Sequence, residues 1–193
     1  MKRITIHFIN NKCSEIDSHL LRDEDLEIIN KFSCLEAKRE KMISLALIRK
    51  FIGDYYLGEY GKPLSEVKEF NISHSKGTAV LVIDEIPVGI DIELIRPVDE
   101  KLKDYISSSE ENKYIKDEQT FYEVWTNKES LLKAVGTGIR GKLKEIPGLP
   151  INGVRNYQNR AFKSKTIIHQ GYVITLTRES LEDFDTDVIE ESL

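Results

Sequence analysis

Apolar and polar residues follow two periods along the chain, and the first is the alternation of a β-strand. Among the first ten residues, Ile4, Ile6 and Phe8 stand at every second position, which predicts a strand with one buried face. This segment has no long apolar run and no small-residue cleavage site, so a strand is favoured over a signal peptide. No stretch approaches the roughly 18 apolar residues that a membrane span needs, so we expect no membrane association.

The second period, of three to four residues, predicts two helices in the first half of the chain. Three acids open a short helix from residue 23 to about 32, in which Leu26 and Ile29 share one face. A longer helix is predicted from about residue 36 to 57, before glycines and a proline interrupt the pattern. Its apolar side consists of Met42, Leu45, Ile48, Ile52 and Tyr55.

The following residues combine short strands with one more long helix. Three apolar runs predict strands at 70–72, 79–83 and 88–92. The last two flank residues 84–87, which are predicted to form a hairpin turn. A helix is expected from residue 119 to 135, ended by Gly136. Two final strands, at 166–169 and 172–177, are predicted around a Gln-Gly pair.

The order of long helix, glycine-rich break and paired strands occurs once in each half. It predicts an α+β fold with two similar halves, residues 1–87 and 88–193. Seven acids and few apolar residues lie from Arg178 to the last residue. Residues from about 179 to 193 are therefore expected to form a solvated, partly disordered tail.

Composition places the chain among soluble globular proteins, with 193 residues, of which 40% are hydrophobic and 32% charged. The net charge of −5 argues against non-specific nucleic-acid binding, which needs a basic face. Cys13 and Cys34 match no metal-ligand spacing, and free thiols in a reducing cytoplasm are favoured over a disulfide. We therefore expect a cytoplasmic protein without a nucleic-acid partner.

Two carboxylates, Asp91 and Glu93, are the first candidates for chemistry. They stand two residues apart in a predicted strand, so both side chains point to one face while Ile90 and Ile92 point to the other. Adjacent carboxylates repel each other, and a divalent cation relieves this repulsion. Hard oxygen ligands of this kind suit Mg²⁺. A solvated acidic strand face explains the same spacing, so both interpretations stay open.

Two further groups of candidates lie on predicted helices. Glu110 follows three serines, which is typical of a helix N-terminus. It is a candidate third metal ligand only if it lies close to Asp91 and Glu93. Trp125, Glu129 and Lys133 are four residues apart and form one row on the long helix. The row is either a surface ion pair beside a tryptophan, or a base, Glu129, next to a lysine that neutralises a phosphate.

A strand end and the start of the first long helix offer groups that bind anions. Ser73 and His74 supply donors beside a glycine, and the alternatives are a turn function or a hydrolase triad. The triad is disfavoured because the chain has no Gly-x-Ser-x-Gly elbow and adjacent strand side chains point to opposite faces. Lys38 and Arg39, in a basic cluster, and Lys62, in a rigid turn, are either solvated or contact a phosphate.

The order of four motifs is more specific than any one of them. The chain carries Tyr-Gly-Lys-Pro at 60–63, Asn-Ile-Ser-His-Ser at 71–75, Gly-Ile-Asp-Ile-Glu at 89–93 and Trp-x-x-Lys-Glu-Ser-x-x-Lys at 125–133. Over roughly residues 36–140 this series resembles the phosphopantetheinyl transferases of the surfactin-synthetase type. The resemblance implies two α+β halves related by a pseudo-two-fold axis, with coenzyme A bound between them.

The resemblance also implies a role for each residue of the motifs. Asp91, Glu93 and Glu110 would bind Mg²⁺, or Mn²⁺, with the neighbouring Glu111 as the alternative third ligand. The residue four before Glu110 is Ile106, which is not the family's usual aromatic. Contacts to coenzyme A would come from Lys38, Arg39, Lys62, Ser73, His74, Lys128 and Lys133. Glu129 would deprotonate the incoming serine, and Lys133 would steady the phosphate charge.

The implied activity is that of a holo-acyl-carrier-protein synthase. Such an enzyme uses coenzyme A as co-substrate, transfers its 4'-phosphopantetheine arm to a serine of an apo acyl or peptidyl carrier protein and releases 3',5'-ADP. With both halves in one chain, a monomer suffices. A catalytically inactive homologue that binds coenzyme A or a carrier protein is the first alternative. A different magnesium-dependent phosphotransferase is the second, and the lack of a phosphate-cradling glycine loop disfavours it.

Overall fold

A computed structural model describes residues 1–10, 18–59, 61–138 and 142–193; Cys13 and Tyr60 of the sequence argument lie outside these ranges. The described strands are β1 (Lys2–Asn10), β2 (Tyr56–Leu57), β3 (Pro63–Leu64), β4 (Glu69–Ser75), β5 (Thr78–Asp84), β6 (Val88–Leu94), β7 (Gly153–Tyr157), β8 (Arg160–His169), β9 (Tyr172–Arg178) and β10 (Phe184–Glu190). The described α-helices are α1 (Asp23–Asn30), α2 (Leu35–Phe51), α3 (Glu100–Ile106), α4 (Ser109–Tyr114) and α5 (Glu118–Val135). The predicted α+β class is confirmed.

The described strands form two four-stranded sheets that pack face to face. Strand order is β10-β1-β5-β4 in the first sheet and β6-β9-β8-β7 in the second, and β2 pairs with β3 as a short ribbon. The alternation predicted for β1 is confirmed, because Ile4, Ile6 and Phe8 are buried in the core between the sheets. Ile90 and Ile92 of β6 belong to the same core, so one apolar cluster joins the two halves.

Each sheet carries one long helix on its outer face. α2 packs on the first sheet through Ile43 and Leu47, and α5 packs on the second through Phe121 and Leu131. Both halves follow the chain order of strand, helix and antiparallel strand pair: β1, α2, β4 and β5, then β6, α5, β8 and β9. The two halves are therefore similar in topology. None of the described helices is long and apolar enough to cross a membrane.

The C-terminal residues form a strand, so the prediction of a partly disordered tail is wrong. β10 pairs in parallel with β1, from Phe184 opposite Lys2 to Glu190 opposite Phe8. Phe184 is 6% exposed and Val188 packs against the core. The acids between these two residues made the segment look solvated, so its apolar alternation was not recognised in the sequence. The strand also crosses the boundary predicted after residue 87, because it belongs to the first sheet.

Residues 84–87 do not form the predicted hairpin turn. β5 pairs with β1 and β4, whereas β6 pairs with β9, so this segment carries the chain from one sheet to the other. A hairpin that the sequence analysis missed joins β4 to β5 through Lys76 and Gly77, both of which have a positive φ. A two-residue turn of this kind matches the strand twist, and glycine adopts it without strain.

The two helices of the first half differ from their predictions in extent and in orientation. α2 ends at Phe51 rather than near residue 57, because Gly53 adopts a φ of 83°, which ends a helix readily. In α1, Ile29 is buried as predicted, but Leu26 is 41% exposed and Asp25 is buried instead. Asp25 turns inward because its carboxylate accepts a hydrogen bond from Arg49 Nε of α2 at 2.8 Å.

A buried ion pair lies where the chain crosses between the sheets. The Asp84 side chain is fully buried and accepts hydrogen bonds from Arg178 and, at 2.8 Å, from Lys2. Burial acts to raise the pKa of Asp84, but the hydrogen bonds outweigh burial and lower this pKa below its ordinary value of 3.8. The ionised carboxylate therefore stabilises the fold above that value, and this stabilisation is lost as the pH falls through the folded pKa.

We expect Asp84→Asn to lower the free energy of unfolding by about 3–5 kcal/mol at neutral pH, because it leaves the Arg178 guanidinium buried without its charged partner. Urea unfolding from neutral to acidic pH measures this, and the variant should lose less stability on acidification than the wild type. Glu85→Gln is the control, since Glu85 also contacts Lys2 but its side chain is 89% exposed. Equal losses in the two variants would contradict the assignment.

Candidate active site

Polar side chains join β4 to β6, the neighbouring edge strands of the two sheets. The amide oxygen of Asn71 accepts a hydrogen bond from a backbone N–H of β6 at 2.9 Å. Two residues further on, the Ser73 hydroxyl donates to Asp91 at 2.8 Å, and Ser75 donates to Glu93 at 2.8 Å. Ser73 and Ser75 thus match Asp91 and Glu93, so the two predicted metal ligands lie at the boundary between the halves.

Asp91 is the most buried acid at this boundary. It is 4% exposed, and its Oδ1 accepts hydrogen bonds from Lys133 Nζ at 2.6 Å and Ser73 Oγ at 2.8 Å. Its other oxygen, Oδ2, is buried and has no hydrogen-bond partner among the described residues. A buried carboxylate oxygen without a partner is costly, so a cation or a donor at this oxygen would stabilise the site.

Glu93 and Glu129 are two further acids near Asp91. Glu93 accepts hydrogen bonds from Ser75 and from Trp125 Nε1 at 3.3 Å, while burial and the charge of Asp91 raise its pKa. Burial, and after it the charge of Asp91, raises the pKa of Glu129 to about 7. Oε1 of Glu129 is buried without a hydrogen-bond partner in the described part of the chain. An acid with this pKa can exchange a proton near neutral pH.

The row of side chains predicted on α5 faces β6. Lys133 forms an ion pair with Asp91, so the row is not the solvated surface feature that was its alternative interpretation. α5 approaches the strand closely because residue 89 is a glycine. A Cβ at Gly89 would lie 2.0 Å from the carbonyl oxygen of Ser130. The spacing of this row and the glycine together bring the helix side chains to the strand carboxylates.

The donor set at this corner fits a hard divalent cation. Asp91 Oδ2 is a buried carboxylate oxygen without a partner among the described residues, and Glu93 stands two residues further along the same strand. Within the same ranges, no three His, Cys, Asp or Glu side chains are grouped to hold a metal by themselves. Mg²⁺ usually takes only one or two carboxylates and completes its shell with water and substrate phosphates. The residues present therefore suit a magnesium ion that arrives with a phosphate ligand.

A cavity of about 360 Å³ opens beside Asp91 and Lys133. Helices α1 and α2, strand β4 and the chain around β2 and β3 line it, with an apolar wall and several polar groups. Its other polar side chains are those of Lys41, Ser44, Ser73, Tyr55 and His74. Burial lowers the pKa of Lys41, and burial is also the largest cause of a lowered pKa of His74. A poorly hydrated cation such as Lys41 is well placed to gain from a bound anion.

Lys41, and not Lys38 or Arg39, is the α2 cation that lines this cavity. Arg39 is exposed and Lys38 is partly exposed, and neither belongs to the cavity wall. Helical phase explains the difference, because Lys41 lies four residues before Leu45 and so shares the inward stripe. The stripe predicted from the sequence begins at Met42 and does not reach back to Lys41, so Lys41 was not among the predicted contacts.

Three of the other predicted coenzyme A contacts lie together at the cavity: Ser73, His74 and Lys133. Lys62 lies beside them, where its Nζ donates to the carbonyl oxygen of Lys133 at 3.0 Å and burial lowers its pKa. Lys62 lines an adjoining cavity of about 190 Å³ that also includes Lys133. The strand end, the turn at Lys62 and the end of α5 thus meet at one place.

The structure does not support Lys128 as a coenzyme A contact. Its side chain is fully buried, and Nζ donates to Glu111 at 2.7 Å and to the carbonyl oxygens of Ile106 and Leu143 at 2.8 and 2.9 Å. All three N–H groups of the ammonium are used, so none is left for a ligand. Glu110 is exposed and is not grouped with the strand carboxylates in the described structure, in contrast to the predicted three-ligand set.

Comparison with known families bears on the half of the chain that carries these acids. Residues 87–177 match the family model of the 4'-phosphopantetheinyl transferase superfamily. Over these residues the chain is similar to that superfamily. The matched residues include β6 and α5, so the resemblance inferred from the motif order is confirmed for the superfamily.

Curated members of the superfamily are similar to the chain over the same region. It is 42% identical over 91 residues to the 4'-phosphopantetheinyl transferase gsp of Aneurinibacillus migulanus, covering 42% of the chain and 37% of that protein. It is 41% identical over 90 residues to the 4'-phosphopantetheinyl transferase Sfp of Bacillus subtilis (strain 168), covering 42% of the chain and 40% of that protein. A longer alignment, 29% identical over 151 residues, joins it to the 4'-phosphopantetheinyl transferase HetI of Nostoc sp. and covers 65% of the chain and 63% of HetI. The chain thus spans less than two thirds of each of these relatives.

Proposed function

We propose that the protein transfers the 4'-phosphopantetheine arm of coenzyme A to a serine of an apo acyl or peptidyl carrier protein and releases 3',5'-ADP. The observation that carries this proposal is the continuity of one cavity from Lys41 and His74 to Asp91 and Lys133. A nucleotide that bears both a terminal phosphate and a diphosphate needs cationic groups at one end and a metal-supported site at the other. The superfamily match and the relatives' names support the same activity.

Asp91 and Glu93 are the proposed holders of Mg²⁺, with Mn²⁺ as a substitute. When bound, the ion would polarise the diphosphate and neutralise the charge that develops on its oxygens. Asp91 Oδ2 is the oxygen left free by Lys133 and Ser73, so it can bind a cation without losing those hydrogen bonds. Glu110 stays a prediction as a third ligand, although two carboxylates are enough for this ion.

The side chains of α5 carry the proposed proton and charge steps. Glu129 would accept the proton of the carrier serine, directly or through water, as the serine oxygen attacks the β-phosphorus of coenzyme A. The P–O bond to 3',5'-ADP breaks in the same displacement. Lys133 Nζ, held by Asp91 and Ser73 at the cavity wall, would donate to a phosphate oxygen. His74 and Ser73 would bind the 3'-phosphate, with Lys62 nearby.

Lys41→Gln should weaken coenzyme A binding about tenfold, because it removes a poorly hydrated cation from the cavity wall. Isothermal titration calorimetry with coenzyme A measures this directly. Lys38→Gln is the matched control, since Lys38 lies about one turn earlier on α2 and does not line the cavity. A larger loss in the Lys38 variant than in the Lys41 variant would restore the assignment made from the sequence.

Incubation with coenzyme A, Mg²⁺ and a panel of apo carrier proteins tests the activity, with mass spectrometry of the carriers. Transfer adds the mass of one phosphopantetheine arm to a carrier, and chelation of the metal should abolish it. Coenzyme A binding without a mass gain on any carrier would identify a catalytically inactive binding homologue. No binding and no transfer would overturn the proposal.

The choice of carrier, from fatty-acid, polyketide or peptide assembly, is set by a docking surface and not by the site residues. The same panel of carriers therefore also identifies the pathway. A cytoplasmic location and a monomeric state stay predictions, which fractionation of cells and sedimentation of the purified protein would test.

A further inference from the structure

Glu40, on the cavity-facing helix α2, contacts two groups of the β4–β5 hairpin. Its Oε2 lies 3.2 Å from Nδ1 of His74, and its Oε1 accepts a hydrogen bond from the backbone N–H of Gly77 at 3.0 Å. The Glu40 side chain is 17% exposed, so water does little to weaken these contacts. One carboxylate thus fixes both the imidazole of His74 and the turn that follows it.

The contact with Glu40 determines what His74 can offer to a ligand. If Nδ1–H donates to the carboxylate, Nε2 is the free ring nitrogen, and in the imidazolium form it is a charged donor. The His74 side chain is 42% exposed and lines the cavity. An anion in that cavity would therefore contact the His74 ring, and the hydrogen bond of Nδ1 to Glu40 would fix the orientation and the tautomer of that ring.

The charged groups around His74 shift its pKa in opposite directions. Burial is the largest effect and lowers the pKa of His74, and the cations Lys133 of α5 and Lys41 of α2 lower it further. Glu40 is the acid that acts to raise this pKa, which stays below its ordinary value of 6.5 with Glu40 in place. Without that carboxylate, two neighbouring cations and the loss of hydration all favour the neutral imidazole, which binds an anion more weakly.

We propose that Glu40 is a positioning residue that orients His74 and favours its charged form, so that the cavity prefers a ligand with a phosphate monoester at this end. The inference rests on the proposed function, in which that ligand is coenzyme A and the monoester is its 3'-phosphate. It adds a determinant of selectivity between coenzyme A and dephospho-coenzyme A. Glu40 itself does not touch the ligand.

The variant Glu40→Gln separates this role from a purely structural one. Its amide oxygen can still accept the hydrogen bond from Gly77, so the turn keeps its support, but the negative charge beside His74 is lost. Glu36→Gln is the matched control. Glu36 lies one turn earlier on α2, is 57% exposed and pairs with Lys76 rather than with the ring.

Calorimetric titrations with coenzyme A and with dephospho-coenzyme A measure the effect. We expect Glu40→Gln to weaken coenzyme A binding about fivefold, the difference between a charged and a neutral hydrogen bond, and to leave dephospho-coenzyme A binding unchanged. Glu36→Gln should change neither affinity. In a His74→Gln background, Glu40→Gln should have no further effect on coenzyme A, and this second test does not depend on the single variant being stable.

The outcomes distinguish the inference from the proposed function. Failure of the wild type to bind coenzyme A would overturn both. Wild-type preference for coenzyme A that survives in Glu40→Gln would overturn the inference alone. Equal weakening of both ligands by Glu40→Gln, or a full effect in the His74→Gln background, would show that Glu40 only supports the hairpin and would also overturn it.

Discussion

Glu129→Gln should lower the turnover number for carrier modification by about 10²- to 10⁴-fold, the usual contribution of a positioned base. The side chain is placed for this role by α5, and burial together with the charge of Asp91 raises its pKa to about 7. Glutamine keeps the volume and one oxygen but cannot take up the serine proton. Binding of coenzyme A should change far less than turnover, because the contacts proposed for its 3'-phosphate lie elsewhere in the cavity.

Single-turnover rates and coenzyme A calorimetry on the same preparations separate the two effects. Glu118→Gln is the control, since Glu118 begins the same helix about three turns before Glu129. A Glu129 variant with near wild-type turnover would exclude this residue as the base. A variant that loses coenzyme A binding in proportion to turnover would instead assign Glu129 to ligand or metal binding.

Gly89→Ala should destabilise the fold by at least about 2–3 kcal/mol, because the added methyl group meets helix backbone and not a movable side chain. Its Cβ would lie 2.0 Å from the carbonyl oxygen of Ser130 and 2.4 Å from the backbone nitrogen of Ala134. The fold can accommodate it only if α5 moves away from β6. Such a shift separates Lys133 from Asp91, so the folded fraction should also lose activity, on the order of 10²-fold for a displacement of about 1 Å.

Chemical unfolding gives the stability change, and turnover is compared at a temperature where both proteins are folded. Gly58→Ala is the matched control, because its Cβ would come within 2.8 Å of only the flexible end of the Leu64 side chain. We expect that substitution to cost less than about 1 kcal/mol. Wild-type stability and activity in Gly89→Ala would show that the contact between α5 and β6 does not set the site geometry.

Both predictions depend on a site that neither half supplies alone. Ser73 and His74 come from the first sheet, Asp91 from the second, and Lys133 from the helix on the second sheet. The hydrogen bonds that Ser73 donates to Asp91 and accepts from Lys133 therefore hold the halves together at the point where the ligand is proposed to bind. For this reason, a change that weakens the contact between the two halves should also impair the site.

Local sequence patterns predicted most of this arrangement. Period-two alternation correctly placed Asp91 and Glu93 on one face of β6, with Ile90 and Ile92 on the other face in the core. Helical spacing correctly predicted α5 and the face on which Trp125 and Lys133 lie together against β6, and Gly136 ends that helix as expected. These features depend on residues close together in the chain, where backbone geometry fixes the direction of each side chain.

The pairing of strands that lie far apart in the sequence was harder to predict. The hairpin predicted at residues 84–87 was wrong because an apolar run does not show which other strand it pairs with. The acidic tail proved to be β10, since pairing with β1 and burial of Phe184 outweigh the charge of the residues between. Lys128 was assigned to the ligand by its place in a motif, but α5 turns it into the core, where Glu111 and two carbonyls use all its donors.

The sequence by itself determined the α+β class, the carboxylate pair of β6 and the row of side chains on α5, because strand and helix periods are local properties of the backbone. Only the tertiary structure decided which basic residue of α2 faces the cavity, that Glu40 stands behind His74, and that one oxygen of Asp91 is left without a partner. These facts depend on the relative position of segments that are far apart in the chain. The packing of the two sheets and their helices determines that position. Local periodicity carries no information about that packing.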